Sequence, residues 1–453
     1  MEGPAVFPST HAGSKAPVCA QFGRSFAAGC VCEKVVSDDM DRKMKVAILG
    51  FGTVGSSVAR ILCEHLPEGV ELGCIFNRGI ERKRASWVPS SVLWSEDFRQ
   101  VMGSNPDIVV ELAGGLHPAG EWVREALAAG KSVVTANKKL IAEQGLALEE
   151  LARHHSCQLL YGAAVAGGVP VIPAVQQGLA GDRINRIHGI LNGTCNFILS
   201  NMEDGAEFAP TLREAQERGY AEANPSEDVD GFDARAKLVI LSRIGLRVEV
   251  LPEEVTCRTI SDVSAIDFAY AKDLQCTIRQ ISRAEVRDRE LLATVGPMLV
   301  PRSSPLSWSR GTENMVISGG EYGGQTVFSG HGAGGNPTAV AVISDVLAIA
   351  HGGCPVSITS SRARVDGDFV VPHYIRFVVD DSPGIVAAIA GHLAEQDINI
   401  NALLQKPGYP KDRLPFVVTV EPCRSSALKA ALKKIAQLDC MQAPPFDLQM
   451  LEQ

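Results

Sequence analysis

The sequence predicts an α/β chain in three parts: a doubly wound parallel sheet first, an α+β middle, and a smaller βαβ-type module last. Three observations carry that expectation. A glycine-spaced turn stands between a short apolar run and a helical run near residue 50. Strand-like and helical segments alternate from there to about residue 160, and from Tyr374 the pattern restarts as strand, turn, helix, strand. Alternation of this kind favours a parallel sheet with helices on both faces. At 453 residues the chain has room for two or three domains.

Composition narrows the function classes. Hydrophobic residues make up 45% and charged residues 21%, the balance of a globular protein with ordinary cores. The net charge of −9 argues against a nucleic-acid partner. No uncharged apolar run is long enough to span a bilayer, so no membrane partner is expected. The 12 cysteines include no CxxC pair or zinc spacing, which fits small buried residues of a reducing, cytoplasmic compartment. Residues 1–43 are rich in Gly, Ala, Pro and Ser and have no apolar face. They lack a secretory signal's continuous apolar core and read as a disordered or non-native tail, with organelle import as an alternative.

Residues 44–170 are expected to form a dinucleotide-binding domain of Rossmann type. MKVAILGFGTVGSSVARIL sets Gly50, Gly52 and Gly55 in G-x-G-x-x-G spacing, with a strand before and a helix after. The first glycine permits the tight turn, the second lets the backbone approach a pyrophosphate, and the third lets helix pack on strand. The helix N-terminus then faces the phosphates. The second strand, VELGCIF, ends at Asn77-Arg78 with no carboxylate for a ribose hydroxyl. Arg78 tilts the cofactor toward NADP, with NAD open, or it is a solvated arginine of a basic loop. Lys138 follows the strand SVVT, at the edge where open α/β sheets bind ligands, or simply begins an exposed helix.

The middle region, residues 171–330, carries the densest chemistry. Just before it, at the end of the first domain, the run Ala163–Val169 is small and glycine-bearing, suited to close packing or to showing backbone carbonyls to a monovalent cation. GYAEANPSEDVDGFDARAK, Gly219–Lys237, gathers five carboxylates ahead of one lysine. Asp230, Asp233 and Lys237 are spaced to share a helix face. Leu238, Val239, Ile240 and Leu241 follow at once, and desolvation there would lower a lysine pKa while the acids oppose it. That describes a proton donor and acceptor, or else an ordinary exposed Asp233–Lys237 pair.

These blocks resemble the homoserine dehydrogenase family. AQERGYAEANPSEDVDGFDARAK is similar to the family signature, and GFGTVG, VVELAGG, VVTANKK, AVAGGVPVI, GILNGTCNFIL and GAGGNPTAVAVISD follow in family order between Met44 and about Ala350. The resemblance implies NAD(P)-dependent interconversion of L-homoserine and L-aspartate 4-semialdehyde, on the route to threonine, methionine and isoleucine. It implies Lys237 as acid/base and Asp233, Glu222 and Asp228 around the substrate, with Lys138 between substrate and cofactor. Thr53, Val54, Gly114 and Arg78 would line the cofactor, and Gly332 and Gly334 would close on it from a returning segment, residues 331–351. It also implies a monovalent cation such as sodium on the main-chain carbonyls of Gly162, Val165, Gly167 and Val169. The chain departs from the family in two places: Gly162 stands where Glu is frequent, and Cys195 replaces a threonine. No kinase-like region precedes the first strand, which points away from a bifunctional form. A homo-oligomer, dimer or tetramer, is the family's habit.

Residues 352–373 read as a linker, and residues 374–453 resemble an ACT domain, a ferredoxin-like βαββαβ unit. The turn Asp381-Ser382-Pro383-Gly384 matches that module's ligand loop, with Gly384 at its close and Asn399 before the next strand. The resemblance implies feedback control, with threonine as the leading ligand; a purely structural module is the alternative. Two other functions stand beside the dehydrogenase: a catalytically silent amino-acid sensor, and a different Rossmann reductase of amino-acid aldehydes.

Overall fold

The structure, a computed structural model, describes residues 42–287, 290–353 and 360–452. The expectations for the N-terminal tail therefore lie outside the described residues, except at positions 42 and 43. From Lys43 on, the described residues form one compact unit.

A six-stranded parallel sheet comes first. Its strands are β1 (Met44–Leu49), β2 (Val70–Phe76), β3 (Leu93–Ser95), β4 (Ile108–Glu111), β5 (Ser132–Thr135) and β6 (Leu159–Leu160), in the order β3-β2-β1-β4-β5-β6. Period-two alternation buries both faces. Ala47, Leu49, Val109 and Val133 pack against α2 (Ala119–Ala128) and α3 (Lys138–His154). Val46, Ile48, Val110 and Val134 pack against α1 (Thr53–Glu64) and the later helix α7 (Gly335–Ala350) through Val58, Leu62, Ala339, Val342 and Val346. The strand order reverses between β1 and β4, where a doubly wound sheet opens its ligand crevice.

A second sheet of 11 strands holds the rest together. It contains β7 (Ile184–Ile190), β9 (Thr256–Cys257), β10 (Cys276–Arg287), β11 (Glu290–Pro301), β12 (Glu313–Gly320), β13 (Gly324–His331), β15 (Arg364–Asp366), β16 (Val370–Val379), β17 (Ile400–Gln405), β18 (Leu414–Arg424) and β19 (Phe446–Met450). A separate pair joins β8 (Val248–Glu249) to β14 (Ser361–Arg362). The main path runs β13-β12-β7-β10-β11-β19-β16-β18-β17. Its last four strands, with α8 (Ile385–Ala394) and α9 (Ser425–Ile435), follow the βαββαβ order.

The join between middle and end corrects the linker expectation. Of residues 352–373, the described part carries β14 and β15, which pair with β8 and β11, and β16 starts at Val370, four residues before Tyr374. β19 then pairs parallel with β11, Met298 against Gln449 and Leu299 against Met450. β14 thus pairs with β8, and β15 and β19 with β11, so the described part of the segment is structural rather than a spacer. Among the described residues no helix is long and apolar enough to cross a membrane.

Candidate active site

The acidic stretch is two helical pieces. A short turn, α5 (Ser226–Val229), ends at Asp230, and α6 (Phe232–Leu241) begins after Gly231, whose φ is +85°. That left-handed residue breaks the helix, so Asp230 does not share the face of Asp233 and Lys237 as its spacing predicts. Asp233 and Lys237 remain one turn apart on α6, and their contact is inward.

The site is built around the Asp233 carboxylate. Its Oδ2 accepts from Lys237 Nζ at 2.7 Å and its Oδ1 lies 2.8 Å from Lys138 Nζ, so one carboxylate bridges two ammonium groups. Lys237 Nζ also donates to the Leu191 carbonyl at 2.6 Å. The side chains of Asp233 and Lys237 are only 10% and 12% exposed, which rules out an ordinary surface pair, while Lys138 at 35% opens to the outside. Burial alone would raise the Asp233 pKa, but Lys237 and Lys138 overcome it and hold the carboxyl well below its usual range. Burial likewise works to lower Lys138, and Asp233 overcomes it, holding the ammonium above its ordinary value. Asp228 is pushed up by burial, against a hydrogen bond from Asn192.

Sequence reasoning missed the groups that fix this cluster. Asn192 Nδ2 donates to Asp228 Oδ1 at 2.7 Å and to Asp233 Oδ2 at 2.9 Å. Asn314 Nδ2 donates to the same Leu191 carbonyl that Lys237 uses, at 3.1 Å. Both asparagines are remote in sequence from Lys237, and the block GILNGTCNFIL was the one available signal for Asn192. Cys195, in the first turn of α4 (Gly193–Glu203), donates its thiol to the Asp228 carbonyl at 3.2 Å, so the departure from threonine still leaves a donor there. Glu222 is exposed on the loop after Tyr220, and among the described residues its carboxylate has no hydrogen-bond or ion-pair partner.

A buried carboxylate ties Lys138 to the glycine-rich crevice. Glu111, at the end of β4, accepts from the Gly114 amide at 2.8 Å and the Thr135 hydroxyl at 2.6 Å. Thr135 Oγ accepts from the Asn137 amide, and Asn137 caps α3 at Leu140 while its Nδ2 donates to the Gly115 carbonyl. The lysine that begins α3 is thereby fixed relative to Gly114.

The crevice fits a dinucleotide. Gly50 turns the chain at φ +107°, and a Cβ at Gly55 would lie 2.0 Å from the Gly50 carbonyl oxygen, so helix and turn meet only through glycine. A Cβ at Gly52 would meet nothing within 4 Å, which leaves open space over the start of α1. Gly52 caps α1 without a side-chain bond, so the first-turn amides at Thr53 and Val54 remain free for a phosphate. The Asn77 Oδ1 accepts from the Phe51 amide at 3.0 Å, and Arg78 is exposed beside it. Gly334, at φ +127°, starts α7, and a Cβ on Gly335 would crowd Thr53; Gly332 lies buried against Asn314. The returning helix therefore begins at the glycine turn.

The proposed cation donors lie in one buried stretch. Gly162 opens a 3-10 turn, Val165 closes it, Gly167 has φ +46°, and the Val169 carbonyl accepts the Val171 amide. The Gly162 amide donates to Asp345 Oδ2 at 2.7 Å, and a Cβ at 162 would lie 2.8 Å from Asp345 Oδ1. The absent side chain is thus matched by a carboxyl from α7, one that burial pushes up to about 7. Carbonyls with a carboxyl beside them suit a hard monovalent cation chemically.

In the C-terminal module, Asp381, Ser382 and Gly384 line a cavity of about 460 Å³ with Ile385, Gln405 and Phe416. Asn399 is not part of that lining. It precedes β17 at the end remote from Gln405, about 20 Å away by strand rise, and bonds Glu421.

Comparison with known proteins agrees with this arrangement. Residues 50–162 match the family model for the homoserine dehydrogenase NAD-binding domain, 170–347 that for homoserine dehydrogenase, and 373–440 that for the ACT domain. A homoserine dehydrogenase of Synechocystis sp. is 37% identical over 440 residues, 90% of this chain and 99% of the relative. One from Bacillus subtilis is 33% identical over 426 residues, 88% and 96% of the two chains. The crystal structure of a homoserine dehydrogenase from Thiobacillus denitrificans superposes with a TM-score of 0.84 at 32% identity, covering 91% of this chain and 99% of that one. A hyperthermophilic archaeal homoserine dehydrogenase in complex with NADPH superposes with a TM-score of 0.60 at 27% identity, over 70% of this chain and 100% of that one. Matched along nearly its whole described length, with a lysine–aspartate–lysine cluster beside a dinucleotide crevice, the chain belongs to the homoserine dehydrogenase family.

Proposed function

We propose that this chain interconverts L-homoserine and L-aspartate 4-semialdehyde with NADP in preference to NAD, serving threonine, methionine and isoleucine synthesis. The observation that carries the reading is the Asp233 carboxylate held between Lys138 and Lys237 at 2.8 and 2.7 Å. A bound nicotinamide coenzyme supplies the hydride acceptor or donor. Lys237 takes the proton from the substrate hydroxyl in oxidation and returns it in reduction, when its ammonium stabilises charge developing on the oxygen. Asp233 keeps both lysines in place. Asp228, with Glu222 at the solvent edge, receives the substrate's ammonium, and Lys138 stands between substrate and coenzyme. Arg78, next to Asn77 rather than a carboxylate, favours a 2′-phosphate.

The same reading extends to regulation and assembly. Threonine enters the cavity beside Asp381 and Gly384, a sodium ion takes the carbonyls of Gly162, Val165, Gly167 and Val169, and the protein works as a cytoplasmic homo-oligomer. The test is NADPH formation from NADP with homoserine at alkaline pH, repeated with NAD and with Arg78→Ala. Homoserine-dependent turnover whose NADP preference falls in the variant supports the reading. A folded wild type that binds amino acids without turnover would favour the silent sensor instead.

A further inference from the structure

Asp228 and Asp233 sit on different elements, yet one neutral side chain meets both. Asn192 gives one N–H to Asp228 Oδ1 and the other to Asp233 Oδ2, at 2.7 and 2.9 Å. Its oxygen accepts the Cys195 amide at 2.8 Å as the N-cap of α4, so the amide cannot turn over without losing all three bonds. The two carboxylates are unequally served. Asp233 has two ammonium partners, whereas among the described residues the Asp228 carboxylate receives no hydrogen bond except that of Asn192 and forms no ion pair. The Asp228 main chain is pinned separately, its carbonyl accepting from Gln280 Nε2, the Cys195 thiol and the Gly231 amide. Backbone contacts fix where Asp228 stands, and Asn192 fixes where its carboxylate points.

The choice of side chain follows from its inventory of donors. A hydroxyl has one hydrogen and could serve one carboxylate only. An ammonium or guanidinium would neutralise Asp228 and compete with a cationic substrate. A primary amide of this length offers two hydrogens, an acceptor for the helix cap, and no charge.

We infer that Asn192 is a positioning residue for the reaction: its amide turns the Asp228 carboxylate toward the Lys138–Asp233–Lys237 cluster, where it meets the ammonium of the amino-alcohol substrate. This rests on the proposed dehydrogenase reading. The groups facing the amide are Lys138 from α3, the Cys195 thiol from α4, Asp228 from α5, and Asp233 and Lys237 from α6, with the Lys139–Glu227 pair at the rim.

The decisive variant is Asn192→Asp, which keeps the shape and the cap acceptor and removes both donors. Its KM for homoserine should rise by about 10- to 100-fold at pH 9, the usual scale for losing a hydrogen bond to a charged group. KM for NADP should hold, and kcat should fall by a smaller factor. Lowering the pH toward 6 should narrow the KM deficit relative to wild type, because protonation of the introduced carboxyl restores one donor. Should that variant fail to fold, Asn192→Ser keeps a cap oxygen and reads the same KM-against-kcat split. An unchanged KM in a folded variant, or a loss confined to kcat with no pH dependence, would overturn the inference. A wild type without homoserine turnover would overturn the proposed function and this inference together, whereas an active wild type with an indifferent variant overturns the inference alone.

Discussion

Asp233 shows how much one buried carboxylate can organise. Its charge is stabilised by two ammonium groups and an amide, so replacing it leaves two cations facing each other across the space it filled. The Asp233→Asn variant should be less stable than wild type by about 3 kcal/mol at pH 7, the scale for breaking a largely buried pair. The pH dependence has a definite sign. The folded carboxyl titrates below its unfolded value of about 4, so its contribution is complete above that pH and is lost as the pH falls through the folded value. Urea melts at pH 7 and pH 3 should therefore show a stability gap that narrows in acid; a gap that widens would contradict the assignment. At this scale the one-turn spacing of Asp233 and Lys237 was legible in the pattern, whereas Asp228 came only through the family resemblance and Lys138 through that resemblance and its place at a strand end. The sequence singled out neither Asn192, Asn314 nor the Leu191 carbonyl as partners of the cluster, because asparagine amides and main-chain oxygens become partners only when distant strands close around them.

Elements decide which of those residues can meet. The break at Gly231 lets α5 and α6 bring Asp228 and Asp233 to one amide, which a continuous helix through Asp230 would not do. A side chain at 231 would be strained at φ +85° and would press on Val295 Cγ1 at 3.0 Å. Gly231→Ala should cost about 1–2 kcal/mol from the left-handed backbone alone and more from the contact. It should also raise KM for homoserine, and thermal melts beside a substrate titration test both effects. The sequence placed the glycine turn, the strands β1, β2 and β5 and the helix at Lys138 correctly, since apolar periodicity and caps are local signals, but the short β3 and β6 carried no such signal. It placed Asp230 wrongly because the spacing i, i+3, i+7 describes a helix without saying whether the chain stays helical, and Gly231 was the residue to heed.

The whole molecule is more continuous than its three-part sequence pattern suggests. The C-terminal strands extend the middle sheet through β11 and β19, and Tyr374, Val417, Phe446 and Leu448 share a core with Phe268, Tyr270, Ile278 and Leu299. Asp267, fully buried, takes its bonds from Tyr374 and Arg376 across that seam. A chain truncated after Ala350 would expose this core and leave Asp267 short of partners, so it should aggregate or lose cooperative unfolding. A truncated protein as soluble and as thermostable as the full chain would show the seam to be incidental. No local pattern foretold the seam, because pairing between β11 and β19 depends on residues about 150 positions apart. The acid–base role of Lys237 is tested most directly by NADPH formation with homoserine at pH 9 in Lys237→Ala, with coenzyme binding followed by fluorescence. It predicts unchanged coenzyme affinity and a kcat lower by about 10²–10⁴-fold, the range for removing a general acid–base group. A variant that binds coenzyme normally and keeps more than about a tenth of wild-type kcat, well inside that range, would contradict it.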